Sequence, residues 1–521
     1  MQAGTVRDIK RTSTQVFITG SEAFPALERA FLDARVEIHA SFRIFDLRTR
    51  LRSEEGLAIG RTWFDLIVHV LRKGVALHLR ITDFDPIARS ALHRGTWRSI
   101  RMLHAAAELA GPAARLEAMA AMHPARTGLL IRLAFWPVMQ RRMDRICRWL
   151  NRQDPATRAA AMRDMPGLAR RLRQAPDGTF HTRRLRVPRL YPATHHQKLA
   201  VFDRKKLYIG GLDLDERRYD TPQHDRPADQ TWHDVQVMME GPVVAEAQNH
   251  LETFMAVTEA RMDPSPQRRL LRTLSRRKRL KIWNYGPETV AHELQQGHEA
   301  LADRAQRLIY LETQFFRSLS LARRLAKIAR ANPKLTLILI LPAAPEDVAF
   351  ENHSGLDARY GEYLQARALR ILRKGFGPRM FVGGAAQPRR AGRGSGLDRD
   401  RLQDAPIIYI HAKVSVFDDT AAIVSSANLN ARSLRWDTEA GVYLNVPRDV
   451  EELRRRAMAH WLPLNAGTQF FDPDTAAQAW ARLAMQNLNR PPEERQGFIL
   501  PYDLRISEEF GQAVPLPEEM V

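Results

Sequence analysis

Residues 196–213 read HQKLAVFDRKKLYIGGLD, and residues 411–428 read HAKVSVFDDTAAIVSSAN. The two stretches share one skeleton. His196, Lys198, Asp203 and Asp213 in the first answer to His411, Lys413, Asp418 and Asn428 in the second, and a pair of small residues (Gly210–Gly211, Ser425–Ser426) begins seven positions after the motif aspartate. From composition, His-x-Lys-x4-Asp is expected roughly 0.02 times in such a chain, yet it occurs twice. Only 11 of the 80 basic residues are lysine, and lysine fills the second motif place both times. The repeat marks a duplicated unit.

The spacing predicts geometry. Residues two apart on an extended strand share a face, so His196 and Lys198 project together, as do His411 and Lys413. The apolar runs that follow (Leu199–Phe202, Val414–Phe417) predict strands buried on both faces. A second strand in each copy (Leu207–Ile209, Ala421–Val424) then ends at small residues and delivers Asp213 or Asn428 beside the pair. Two copies facing each other would surround one anion with two imidazoles and two ammonium groups.

Outward from the motifs, strand and helix patterns alternate at βαβ spacing in both halves. Val16–Ile18, Val36–Phe45 and Val75–Ile81 read as strands around helices Phe24–Asp33 and Trp63–Leu71. Leu308–Thr313 and Leu335–Leu341 read as strands around helix Ser320–Ala331. The expected fold is α/β: two tandem α/β/α sandwich domains with pseudo-two-fold symmetry. The first spans 1–263 and carries a helical insert at about 95–180. A basic linker follows at 264–282, the second domain at 283–490, and a surface tail at 491–521. The Gly/Arg-rich stretch 386–405 is expected to be mobile or to close over something.

The chain of 521 residues carries 80 basic against 59 acidic residues, a net charge of +21. That excess points to a phosphate-bearing partner, nucleic acid or an anionic lipid surface. The 44% hydrophobic and 27% charged content excludes global disorder, collagen and coiled coil. With one cysteine, Cys147, an internal disulfide and a cysteine-based metal cage are excluded, which fits a reducing compartment. No apolar run approaches the ~20 residues needed to cross a bilayer. A cytoplasmic location, with peripheral membrane association possible, is expected.

These motifs resemble those of the phospholipase D superfamily, whose signature is two copies of His-x-Lys-x4-Asp, each followed by a small-residue pair and an Asn or Asp. The likeness extends to WHDVQVMMEGPVV (Asp234), to NLNARSLRWDTEAGV (Asn430, Arg432, Ser433, Glu439) and to IYLETQFF (Glu312, Gln314). Two departures stand out: Ser425 replaces the usual Gly, and Asp213 replaces Asn.

The resemblance implies a phosphodiesterase. One histidine (His196 as the family usually works) attacks phosphorus, and the other (His411) protonates the leaving alcohol. Lys198, Lys413, Asn428 and Asp213 hold the non-bridging oxygens. Asp234 and Glu439 each orient one histidine, while Asp203 and Asp418 are structural hydrogen-bonders. Glu312 and Gln314 are expected either to support these groups or to pack a strand end. His195 is expected to give packing or polar support, and His224 and His233 to be solvated loop residues. No cofactor and no catalytic metal is expected. With both copies in one chain, a monomer is expected.

The motif leaves the substrate open among phospholipid hydrolysis, phosphatidyl transfer and nucleic-acid cleavage. A phospholipid ranks first because the minimal nucleases of this type resemble a single domain used as a dimer. A nucleic-acid phosphodiesterase is the alternative, followed by a non-catalytic anion-binding protein. In segment 127–152, Met139, Met143, Ile146 and Leu150 form a stripe flanked by arginines, with Trp136 and Trp149 nearby. Such a helix lies on an anionic membrane or packs its stripe on its own domain.

Overall fold

The computed structural model describes residues 13–184, 187–278, 282–351, 353–392 and 398–521. The duplicated unit appears as two mixed sheets. The first runs in the order β1 (Thr14–Ile18), β7 (Val235–Glu240), β6 (Lys206–Gly210), β5 (Leu199–Phe202), β2 (Glu37–Phe42), β3 (Ala76–Asp83) and β4 (Leu116–Met122). The second contains β9 (Glu288–His292), β8 (Leu270–Arg276), β15 (Glu439–Leu444), β14 (Ala421–Ser425), β13 (Lys413–Phe417), β10 (Leu308–Thr313), β11 (Thr336–Ile340), β12 (Met380–Ala385) and β16 (Ile499–Pro501) in that order.

Seven strands correspond one for one. In each half three strands run parallel (β2–β3–β4 and β10–β11–β12), and an antiparallel meander joins their edge. The crossover helices explain the parallel part. Trp63–Arg72 links β2 to β3, and Leu319–Ala331 links β10 to β11. In the second half β10 and β11 are buried apolar runs, whereas β2–β4 carry the partly exposed Glu37, His39, His78 and Glu117 on one face.

One inner core joins the halves. Val201, Ile209 and Val237 from the first sheet share a cluster with Tyr310, Val414 and Val442 from the second. Helices Val243–Thr258 and Pro447–Trp461 contribute Phe254's neighbour Leu251 and the fully buried Trp461. The outer face of the first sheet is closed by Phe31, Phe45 and Trp63, and that of the second by Leu325, Leu369 and Phe376.

Three expected boundaries move. The 264–282 segment is not a linker throughout, because it contains β8. Its Arg272 is buried by a two-pronged hydrogen bond to Glu293 (2.9 and 2.7 Å), so a basic run hides a strand. The 95–180 insert is not wholly helical. It begins inside helix Ser90–Ala110, contains the sheet strand β4, and ends in a hairpin of Leu172–Gln174 with Phe180–Thr182. The 491–521 segment is no mere surface tail: β16 pairs with β12, and helix Leu504–Phe510 follows.

Helix Leu129–Asn151 uses its stripe on the protein itself. Met139, Met143, Cys147 and Leu150 are buried against Ile87, Met165 and Leu168. Within 386–405, residues 393–397 lie outside the described residues, while Arg401–Leu402 pairs with Ala405–Pro406. Among the described residues no helix is long and apolar enough to cross a membrane.

Candidate active site

Each motif histidine sits just ahead of its strand, with its backbone paired to the other half of the molecule. His196 N donates to Thr438 O, and His411 N donates to His233 O, both at 2.8 Å. The residue after each acceptor is a carboxylate: Glu439 after Thr438, Asp234 after His233. The strand entry that delivers one histidine therefore runs beside the segment that delivers the opposite half's acid.

The histidine–acid pairs are accordingly crossed. His411 Nδ1 hydrogen-bonds Asp234 Oδ2 at 2.7 Å. His196 Nδ1 hydrogen-bonds Glu439 Oε2 at 3.1 Å, with Oε1 at 2.9 Å. Both carboxylates are 0% exposed, whereas the His196 and His411 side chains keep 12% and 4% of their surface. With Nδ1 bound to the acid, each ring has only Nε2 left for a ligand.

The small-residue pair makes room for these acids. A Cβ on Gly211 would lie 2.3 Å from Asp234 Oδ1, so glycine is required there. At the matching place Ser426 Oγ donates to the longer Glu439 side chain. Trp232 covers His411, ring centroids 4.6 Å apart.

Lys198 Nζ and Lys413 Nζ each donate to the carbonyl of their own histidine. Both are buried, as are Asp213 and Asn428. Burial pushes Glu439 up to about 8 and Asp234 up to about 6, and Lys413 down to about 7. Both histidines are held well below their ordinary value, by burial first and then by the lysines. His411 feels the charge of His196 and Lys198, and His196 that of Lys413, so the two motif copies share one field. A phosphodiester between them would supply the anion that four inward-facing cationic or cationizable groups call for.

The motif aspartates stand apart. Asp203 accepts from the backbone of Arg35, Val36 and Glu37 (2.8, 2.8 and 3.0 Å), and Asp418 from that of Gln306, Arg307 and Leu308 (2.8, 2.9 and 2.9 Å). Both adopt positive φ, +49° and +53°. Each pins the start of the first parallel strand of its half.

Asn428 Nδ2 donates to Gln314 Oε1 at 3.2 Å, and Gln314 Nε2 donates to Tyr409 Oη at 2.8 Å. Glu312 lies elsewhere, hydrogen-bonded to His233 Nε2 at 2.8 Å. His195 Nδ1 meets Thr438 Oγ1 at 2.8 Å, a supporting contact. Asn430 caps helix Ala431–Arg435 through Ser433 N (2.9 Å), and Arg432 pairs with Asp437 (3.1 Å). His224 and His233 are 0% exposed, not solvated: Trp461 lies against both rings.

One residue escaped the sequence reading. Bridges Phe45–Leu214 and Phe316–Leu429 superpose the halves: Leu214 and Leu429 follow Asp213 and Asn428, and Arg43 and Gln314 lie two positions before the phenylalanines. Arg43 is thus the counterpart of Gln314. Asp213 Oδ1 accepts from Ile44 N at 2.9 Å, and its Oδ2 lies 3.8 Å from Lys198 Nζ. Among the described residues Arg43 makes no hydrogen bond or ion pair, only a cation–π approach to Phe84 at 5.5 Å. Its charge reaches His196, Lys198 and Asp213. The signal was available: ASFRIF (40–45) and LETQFF (311–316) match in spacing and end on phenylalanine.

The chain is similar in sequence to several known proteins. The family described as "Cardiolipin synthase, PLD-like domain" matches residues 300–461. Phospholipase D1 of Schizosaccharomyces pombe is 24% identical over 350 residues, covering 48% of this chain and 24% of that protein. Phospholipase D beta 2 of Arabidopsis thaliana is 21% identical over 468 residues, covering 62% of this chain and 50% of that protein. The chain thus spans between about a quarter and a half of the length of these curated relatives. A solved phosphatidylserine synthase of Haemophilus influenzae Rd KW20 aligns with 91% of this chain and 93% of its own, at 12% identity and a TM-score of 0.46.

Proposed function

We propose that the chain is a phosphodiesterase of the phospholipase D superfamily acting on phospholipids, by hydrolysis or by transfer of the phosphatidyl group. The observation that carries the reading is the crossed pairing, His196 on Glu439 and His411 on Asp234, around two buried lysines.

His196 Nε2 attacks phosphorus while Glu439 accepts from Nδ1–H and stabilises the developing imidazolium. The bond from phosphorus to the leaving oxygen breaks, and that oxygen takes the Nε2 proton of His411, which the negative charge of the bound phosphodiester keeps protonated. A phosphohistidine results. Water or an acceptor alcohol then gives its proton to His411 as it attacks, and the P–N bond breaks. Lys198, Lys413, Asn428 and Arg43 donate to the non-bridging oxygens as charge develops. Asp213, a bare acceptor, holds Lys198 and the Ile44 backbone. A second basic surface supports an extended anionic substrate. A cavity of about 740 Å³ between the insert and β3 is lined by Arg132, Arg171 and Arg189 with Trp97 and Tyr191.

The test is a direct assay of the purified chain on phosphatidylglycerol and phosphatidylcholine vesicles, with and without ethanol, and on single-stranded DNA. Release of headgroup or formation of phosphatidylethanol supports the reading, and DNA cleavage without lipid turnover replaces it with the nuclease. Inertness toward all of them favours a binding protein.

A further inference from the structure

Behind His411 lies a second cluster that the phosphodiesterase chemistry does not use. His224, His233 and His460 bring one ring nitrogen each to within 4.8 Å of one another. Their ring centroids are 5.0, 4.5 and 6.1 Å apart. Imidazoles around one tetrahedral ion, with nitrogens at about 2.0–2.1 Å, have centroids roughly 5 Å apart.

Two of the rings already carry the partners that metal-bound histidines use. His224 Nδ1 bonds Asp220 Oδ2 at 2.7 Å, and His233 Nε2 bonds Glu312 Oε2 at 2.8 Å. A carboxylate on the far nitrogen fixes the tautomer and raises the basicity of the other nitrogen. Those carboxylates are themselves held. Asp220 accepts from Trp232 N (2.7 Å) and Thr221 N (2.8 Å), and Glu312 from Tyr310 Oη (2.5 Å) and Trp461 Nε1 (3.1 Å). Nδ1 of His233 is buried with no hydrogen-bond partner, and Nε2 of His224 lies 2.8 Å from Nε2 of His460.

Asp220 and Glu312 are fully buried, and their ion-pair partners among the described residues are only His224 and His233. A divalent cation balances two buried carboxylates. The fold does not demand this cluster: the place matching His233 in the other half is Thr438, on His195, with no carboxylate.

We propose that His224 Nε2, His233 Nδ1 and His460 Nε2 form a site for a divalent transition metal of the zinc class, with Asp220 and Glu312 supporting it. All-nitrogen donors select such ions over calcium or magnesium. The site clamps the two halves, since His460 lies on helix Pro447–Trp461 and Glu312 on β10, while His224 and His233 come from the first half. It also fixes the carbonyl of His233, to which His411 N is anchored at 2.8 Å. The role is structural and positioning, and is separate from the phosphodiesterase reading.

The experiment is metal analysis of the full chain, purified without a polyhistidine tag from zinc-supplemented cells, then stripped and reloaded with Co²⁺. About one zinc per chain, and the visible bands of tetrahedral Co²⁺, are expected. His460→Gln should abolish both, and Glu312→Gln should weaken zinc binding about 10–100-fold. The second variant keeps all three ligands, so it reads the site even if His460→Gln fails to fold. Parent protein free of metal that takes up no Co²⁺, or variants that bind as the parent does, would overturn the proposal.

Discussion

Replacing Arg43 by glutamine tests the pseudo-symmetry of the site. In the second half Lys413 is accompanied by a neutral amide pair, Asn428 and Gln314. In the first half Lys198 is accompanied by Asp213 and Arg43. Both halves thus present one net positive charge to a phosphate. Arg43→Gln removes the guanidinium and leaves Asp213 to neutralise Lys198 across 3.8 Å. A lost donor to developing phosphoryl charge costs about 2.7–4 kcal/mol, or 10²–10³ in kcat.

The double variant Arg43→Gln/Asp213→Asn rebuilds in the first half the amide pair that the second half already has. It should recover at least about tenfold over Arg43→Gln, a coupling of about 1.4 kcal/mol. Initial rates on bis(p-nitrophenyl) phosphate, with thermal midpoints as folding controls, give both numbers. The reasoning is refuted if Arg43→Gln turns over like the parent, or if the double variant is no faster than the single.

Other outcomes follow from the same geometry. Glu439→Gln and Asp234→Asn should each lower kcat by about 10²–10⁴ by spoiling a histidine tautomer. His411→Ala with a substrate carrying a good leaving group should trap phosphate on His196, read by peptide mass spectrometry, and label found elsewhere would reverse the assignment. Burial raises Glu439 from 4.5 to about 8, so the folded state holds a proton that the unfolded chain has released between those values. Its contribution to stability therefore declines as pH rises from about 5 to 8, and Glu439→Gln should flatten the fall of the thermal midpoint over that window. Lys413, lowered to about 7, acts the other way above pH 7. Asp203→Ala, which removes three hydrogen bonds to backbone N–H groups at the partly exposed start of β2, should cost about 0.5–1.5 kcal/mol for each bond lost while leaving kcat within a few-fold, a result read by denaturant melts beside the rate assay.

Polar composition misled the sequence reading in two places. TPQHDRPADQTWHD looks like a solvated loop, yet His224 and His233 are buried beneath Trp461. Pattern alone does not reveal a neighbour 236 positions away, such as His460 on His224. The basic run at 264–281 masked β8 because Glu293 neutralises Arg272 inside the sheet.

What the chain determined alone is whatever covalent spacing enforces: the duplicated His-Lys-Asp units, their buried strands and the βαβ alternation. Which acid serves which histidine was decided only in three dimensions. Those bonds join residues 243 and 177 positions apart, across two halves that share one core. No local pattern encodes such a crossing, because it arises from packing one copy of the unit face to face with the other.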